Sequence, residues 1–128
     1  MLSRFVLAGA ALMAGAMVCA FAGAGDYVFE PVQTDVTRGE PVIAVRLKHK
    51  ATGNPVTDAV IFRTRIDMAP DAMAEMEAPL TPVPSSEPGV YAFKAELSME
   101  GRWQLTIAAK VQGERETVIG QVTFEATR

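Results

Sequence analysis

The sequence predicts an all-β domain, an immunoglobulin-like β-sandwich of about seven antiparallel strands. Two observations favour this class. Apolar and polar residues alternate with a period of two in several short runs, which is typical of strands that bury one face. Turn-forming segments rich in glycine, proline and asparagine separate these runs at about the spacing that a β-sandwich requires.

A stretch at the N-terminus, residues 1–24, precedes this domain and is predicted to be a secretory signal peptide. It opens with a basic residue, Arg4, continues with a run of small and apolar residues, and ends in alanine and glycine. This order of residue types is typical of signal peptides. Cleavage is expected after Ala22 or Ala24, and residues 25–128 are expected to form one periplasmic domain. An uncleaved membrane anchor is the alternative, because the apolar run is close to the length that spans a bilayer.

The sequence contains one cysteine, Cys19, and it lies inside the predicted signal peptide. The exported domain would therefore contain no thiol. Without a thiol it can form neither a disulfide nor a thiolate metal site, and it has no cysteine nucleophile.

Three strands are predicted in the first half of the domain. Residues 27–37 are rich in β-forming residues, and residues 42–49 alternate between apolar and polar. Residues 60–68 show the same alternation, which is expected to turn the charged residues toward water. The predicted inward face of this third strand consists of Val60, Phe62, Thr64, Ile66 and Met68.

The middle of the domain, residues 69–88, contains five prolines and cannot form a central strand. Residues 70–76 are expected to form one or two helical turns, because proline is tolerated in a first turn and acidic residues suit it. Residues 77–83 are expected to form a short strand at a sheet edge.

Three longer strands complete the predicted domain. Residues 91–97, 103–111 and 118–124 each carry apolar residues at alternate positions, and the run that starts at Trp103 has the clearest pattern. Glycine-containing turns separate the three runs.

The composition excludes several classes of function. The net charge is -3 and the basic residues are scattered, so the sequence has no basic stripe for binding nucleic acid. His49 is the only histidine, which excludes a Ser-His-Asp triad, a histidine-rich zinc site and a cupredoxin copper site. At a strand end, His49 is expected to be an ordinary structural residue. We therefore predict that the protein is not an enzyme.

Four methionines lie outside the predicted signal peptide, and three of them are close together in and next to the proline-rich segment. Exposing such large apolar side chains costs about 1.5–3 kcal/mol each relative to burial. They are therefore expected either to be covered by other residues or to take part in binding. If the strands run up and down, all four reach one end of the sandwich, beside the indole of Trp103. The four are Met68, Met73, Met76 and Met99.

Thioether sulfur is a soft ligand that suits Cu(I) or Ag(I), and it needs no deprotonation to bind. The indole face of Trp103 would add a cation–π contact. Nearby carboxylates are expected to bias the local field toward cations. These carboxylates belong to Asp67, Asp71, Glu75 and Glu77. Packing over the end of the core is the alternative role for the methionines.

Three short motifs carry a resemblance to a known family. They are Asp-Met-Ala-Pro at residues 67–70 with the methionines that follow, Pro-Gly-Val-Tyr at residues 88–91, and Met-Glu-Gly-Arg-Trp at residues 99–103. In these motifs the chain resembles the YtkA-like and FixH-like periplasmic domains. The resemblance implies an immunoglobulin-like sandwich that works with heavy-metal efflux or cytochrome oxidase assembly, which are both copper-related settings. The family-like positions are Met68, Met73, Met76, Met99 and Trp103.

Two functions are therefore expected for the domain. The first is a periplasmic Cu(I)- or Ag(I)-binding or carrier protein that uses the methionine cluster, with metal-efflux or oxidase-assembly proteins as partners. The second is an interaction module that binds no metal and docks on such an assembly through the same apolar end or through a sheet edge.

Overall fold

The computed structural model describes residues 24–128. Apart from Ala24, the predicted signal peptide lies outside the described residues. Within the described part, no helix is long and apolar enough to cross a membrane. Nine strands form there: β1 (Tyr27–Pro31), β2 (Asp35–Thr37), β3 (Val42–His49), β4 (Val60–Met68), β5 (Met73–Ala78), β6 (Leu80–Val83), β7 (Val90–Ala95), β8 (Gly101–Lys110) and β9 (Val118–Thr127).

The nine strands form two sheets that enclose one core, so the predicted all-β sandwich is confirmed. The first sheet has the order β1-β3-β7-β6 and the second has the order β2-β9-β8-β4-β5. All pairings are antiparallel except that of β2 with β9. Two single 3-10 turns, Ala24–Asp26 and Ala69–Asp71, are the helical elements among residues 24–128.

Two predicted elements divide because the chain crosses from one sheet to the other. The run at residues 27–37 becomes β1, which pairs with β3, and β2, which pairs with β9. The segment after Asp71 becomes β5 and β6, which form edges of opposite sheets on either side of Pro79. Proline has no N–H for a ladder, so it suits a crossing point of this kind.

The core follows the predicted alternation in most strands. Val45, Leu47, Leu105 and Ile107 have no measurable exposure, and Phe124 on β9 is equally buried. Side chains from the inward faces of both sheets therefore meet in one continuous apolar layer, as sheet-on-sheet packing requires.

The predicted inward face of β4 is wrong at its first residues. The register with β8 shifts between Ile61 and Arg63, so this stretch contains a bulge. A bulge adds one residue to one strand and reverses the faces of the residues on one side of it. Val60 is 63% exposed and Phe62 is 53% exposed, whereas the half-buried Ile61 packs against the core.

The antiparallel pairings agree with strands that run up and down, but the order of the strands in each sheet differs from their order in the sequence. β4 pairs with β8 rather than with β3, and β3 pairs with β7. The connection from β3 to β4 runs between the two sheets. The pairing of β4 with β8 brings the end of one strand beside the start of the other, because the two are antiparallel and Asp67 is opposite Gln104.

The hydroxyl of Tyr91 fixes the loop that leads into β4. It donates a 2.7 Å hydrogen bond to the carbonyl of Val56 and accepts a 3.2 Å bond from the N–H of Ala59. Val56 is only 4% exposed, so its carbonyl depends on this partner. At the same end of the sandwich, the hydroxyl of Tyr27 donates a 2.7 Å bond to Glu114.

The Tyr91→Phe variant is expected to lose about 1–3 kcal/mol of unfolding free energy, because it leaves the Val56 carbonyl without its partner. Urea denaturation followed by circular dichroism measures this loss. Tyr27→Phe is the matched control, since Glu114 lies nearer the surface and can bind water instead. Equal losses in the two variants would contradict a special role for the Tyr91 hydroxyl.

Candidate functional site

Met68 is the last residue of β4, and it lies between the two strands that flank β4. Its Cα partner on β5 is Met73. Opposed residues of an antiparallel pair have neighbouring backbones, with Cα atoms about 4.5–5.5 Å apart. The two thioethers therefore extend from neighbouring positions, although Met68 is only 1% exposed and Met73 is half-buried.

Met73 and Met76 lie on a strand and not on the predicted helical turns. The turn stops at Asp71, and Ala72 then adopts a left-handed conformation with φ 63°. β5 starts at the next residue, and its register with β4 shifts between Asp67 and Met68. Both methionines are half-buried and pack against the edge of the core, whereas the residues between them are exposed.

Met99 reaches the same end of the domain from the connection between β7 and β8. Its backbone carbonyl accepts a 3.1 Å hydrogen bond from the indole Nε1 of Trp103. Trp103 itself has no measurable exposure, and the half-buried side chain of Met99 packs against the same core cluster. The indole thus anchors the loop that carries Met99.

Gly101 permits the close approach of β8 to this cluster. Its φ of 139° is a conformation that side chains disfavour. A Cβ at this position would also overlap the methyl group of Met68 and would lie 2.7 Å from Oδ2 of Asp71. Met68 therefore packs directly against the backbone at the start of β8.

Asp71 and Arg102 tie the β4–β5 turn to β8. Asp71 accepts 2.8 Å hydrogen bonds from the backbone N–H and from Nε of Arg102, and Arg102 Nη2 also donates to the carbonyl of Pro70 at 2.9 Å. These bonds from the Arg102 backbone and side chain hold the pKa of Asp71 below its usual range. Asp71 is therefore a charged, fully engaged structural group.

Arg65 makes a second set of ties across the β4–β5 pair. Its Nε donates to Asp67 at 2.7 Å, its Nη1 lies 2.7 Å from Glu77, and its Nη2 donates to the carbonyl of Ala74 at 2.6 Å. The hydrogen bond with Asp67 is the main reason that the pKa of Arg65 is raised. Asp67 also accepts a 2.9 Å bond from the N–H of Ala69, and it is only 6% exposed.

The two arginines offset about half of the expected acidic charge around the methionines. Three of the four predicted carboxylates form ion pairs, with Arg65 or with Arg102, and only Glu75 stays clear of these two arginines on the exposed side of β5. Among residues 24–128, no three histidine, cysteine or acidic side chains group as they would around a metal ion.

His49 lies at the opposite end of the sandwich. It ends β3, and its ring packs against that of Tyr27 with centroids 4.8 Å apart. This contact is the packing role that its position in the sequence predicts.

The structure brings the five predicted site residues to one end of the domain, and we call this cluster the methionine pole: Met68, Met73, Met76, Met99 and Trp103. Three of its thioethers are half-buried, whereas Met68 and Trp103 are sealed inside the core. The sequence did not reveal Gly101 or the two arginine ties. The Arg65–Asp67 pair could have been found from its spacing, because residues two apart share a strand face.

Solved structures that are similar to this chain include two domains. The chain is 21% identical to the Lin-41 filamin domain, with a TM-score of 0.47 over 80% of this chain and 93% of that chain. It is 13% identical to the ZirS C-terminal domain, with a TM-score of 0.45 over 83% of this chain and 68% of that chain. No curated protein matches the sequence. The family model described as YtkA-like matches residues 21–108, and the chain therefore belongs to the YtkA-like family.

Proposed function

We propose that the protein is a periplasmic, non-catalytic domain that binds Cu(I), with Ag(I) as a substitute, at the methionine pole. The observation that carries the proposal is the gathering of thioethers from three chain segments at one end of the domain, where the indole of Trp103 is hydrogen-bonded to the segment that carries Met99. Sulfur ligands from separate segments form a site only in the folded domain, so folding would pre-organise the ligands.

The engaged carboxylates support a soft metal over a hard one. Asp67, Asp71 and Glu77 already bind arginine, so three of the four nearby carboxylates are occupied and Glu75 alone stays clear of Arg65 and Arg102. The four thioethers outnumber this one carboxylate, and they favour Cu(I) and Ag(I) over Mg²⁺ or Ca²⁺. In an oxidising compartment they have the further advantage that they cannot be lost to disulfide formation.

The degree of burial suggests different roles for the members of the pole. Met73, Met76 and Met99 are the accessible donors, because each is half-buried at the surface of the core. Met68 would act as the inner ligand, since it is opposite Met73 but is covered by the start of β8. Trp103 would shield the ion through its ring face, because its N–H is already bonded to Met99.

Delivery to a partner is the role that this arrangement best supports. A site of neutral thioethers near the surface can release its ion to another protein without the uptake of protons. Metal-efflux or oxidase-assembly proteins are the partners that we propose, with efflux as the first choice.

Docking through the same pole without metal is the second candidate function. The observation that favours it is that three flexible, polarizable side chains stay partly exposed at one end, as they do on adaptable binding surfaces. In this function, sulfur could be replaced by any apolar group of similar volume, whereas a metal site requires the sulfur itself.

The double variant Met73→Leu/Met76→Leu is expected to weaken Cu(I) binding by at least about tenfold, because it removes two sulfurs while it keeps apolar volume. Native mass spectrometry under reducing conditions should reveal one Cu(I) on the parent protein, and competition with a chelator measures the affinity. Tyr91→Phe is the control, since it lowers stability and leaves every methionine in place. If the double variant binds Cu(I) as tightly as the parent protein does, Met73 and Met76 are not ligands. Docking without metal would then be the remaining function of the methionine pole.

The fluorescence of Trp103 is expected to change when the site fills, because this residue is the only tryptophan and its N–H is bonded to the Met99 segment. Titration with Ag(I) should quench the emission and saturate at one equivalent. The double leucine variant should require a higher Ag(I) concentration for the same quenching. A bound ion that leaves the emission unchanged would place the site away from the indole.

A further inference from the structure

A second surface lies at the other end of β4, where no strand within residues 24–128 pairs with one edge. β4 pairs with β8 over Val60–Asp67, but β5 covers the opposite edge only at Ile66–Met68. The first six residues of β4 therefore present free backbone groups along about 20 Å of strand. Unpaired strand edges of this kind are templates for the addition of another strand.

This free edge forms one wall of a cleft of about 580 Å³ between the two sheets. The opposite wall comes from β6 and β7, and it contributes Val83, Tyr91 and Phe93. β6 also contains Pro82, which lacks an N–H, so the cleft has a single continuous row of backbone partners on the β4 side. The size lies within the range of sites that hold small ligands or short segments.

The bulge in β4 places apolar side chains at this edge. Val60 and Phe62 are among the most exposed large apolar residues of the described chain, and Phe62 also lines the cleft. Native sheets usually protect an unpaired edge with charges or cover it. An uncovered edge flanked by two exposed apolar side chains indicates a binding surface.

Charge determines which kind of partner fits. Arg65 is engaged with Asp67 and Glu77, and Glu87 at the cleft is paired with Arg46. Arg63 lines the cleft, is exposed, and forms no ion pair within residues 24–128. The cleft thus carries one uncompensated positive charge, which would attract a carboxylate.

A second copy of this chain would fit the edge less well than an acidic partner. In registers that align position 63 with itself or with a position two residues away, antiparallel pairing of β4 with the same strand of another copy would place the two Arg63 side chains directly or diagonally opposite each other. Like charges in such positions destabilise a strand pair. The same charge stabilises a partner strand that has an acidic residue at that position.

We propose that the cleft binds an extended segment of another protein, which adds to the free edge of β4 as an antiparallel strand of about five or six residues. The segment would place alternate apolar side chains against Phe62, Tyr91 and Phe93, with a carboxylate beside Arg63. This docking surface does not involve the methionine pole, and it does not depend on metal binding.

The test uses a fluorescently labelled synthetic peptide, Ser-Val-Glu-Val-Thr-Ile, and the purified protein. Fluorescence anisotropy is expected to reveal saturable binding, and backbone NMR is expected to show shifts and slowed amide exchange at residues 60–65. Replacing the central valine of the peptide with proline should abolish binding, because proline cannot donate to the ladder. Absence of binding at millimolar peptide, or shifts confined to other strands, would overturn the proposal.

Charge reversal and a matched surface variant make the test specific. Arg63→Glu is expected to weaken binding by about tenfold, and a peptide with lysine in place of glutamate should recover it. Phe62→Ser should also weaken binding, whereas Ile119→Ser should not, since Ile119 is equally exposed on β9 and does not line the cleft. Failure of the lysine peptide to recover binding would contradict the role of Arg63.

Sedimentation analysis separates a protein partner from self-association. The protein is expected to stay monomeric as its concentration rises. A dimer that Phe62→Ser dissociates would mean that a second copy occupies the edge, and the proposal of a separate acidic partner would be wrong.

Discussion

The antiparallel ladder between β4 and β8 is the interaction on which the rest of this structure depends. It aligns the end of β4 with the start of β8, so Met68 meets the backbone at Gly101 and lies beside Trp103. The same ladder contains the bulge that turns Val60 and Phe62 outward. One pairing therefore produces both the packed methionine pole and the exposed edge at the other end of the strand.

The hydrogen bonds and ion pairs of Arg65 and Arg102 explain how a proline-rich connection can keep a defined shape. Arg65 joins β4 to two points on β5, and Arg102 joins β8 to the turn between them. Surface ion pairs usually contribute little on their own, but here the bonds are multidentate and include backbone groups. Their effect is to limit the movement of the segment that carries Met73 and Met76, which lowers the entropic cost of holding those side chains in place.

The sequence predicts the fold class correctly, but it does not predict the buried face of every strand. Alternation identified the buried residues of β3 and β8, such as Leu47 and Leu105, because both strands have one face in a continuous core. It failed at Phe62, since a single bulged residue reverses the faces and leaves no mark in the composition. Likewise, no local pattern indicates that Asp71 binds Arg102, 31 residues away. Met99 was placed at the correct end, because the up-and-down path that this prediction assumed agrees with the antiparallel pairing of β4 with β8.

The length of β5 determines where along β4 the methionine pole ends and the free strand edge begins. This short strand covers the β4 edge only next to Met68, where the thioethers pack against the core and the arginines fix the backbone. Beyond Ile66 the edge is free, and the opposing sheet is far enough away to leave the cleft. A longer β5 would fill that cleft and leave no exposed edge, and a shorter one would release Met73 and Met76 from the ladder. The short, tied β5 is thus the feature that allows a small sandwich to present an apolar thioether cluster at one end and an open strand edge at the other.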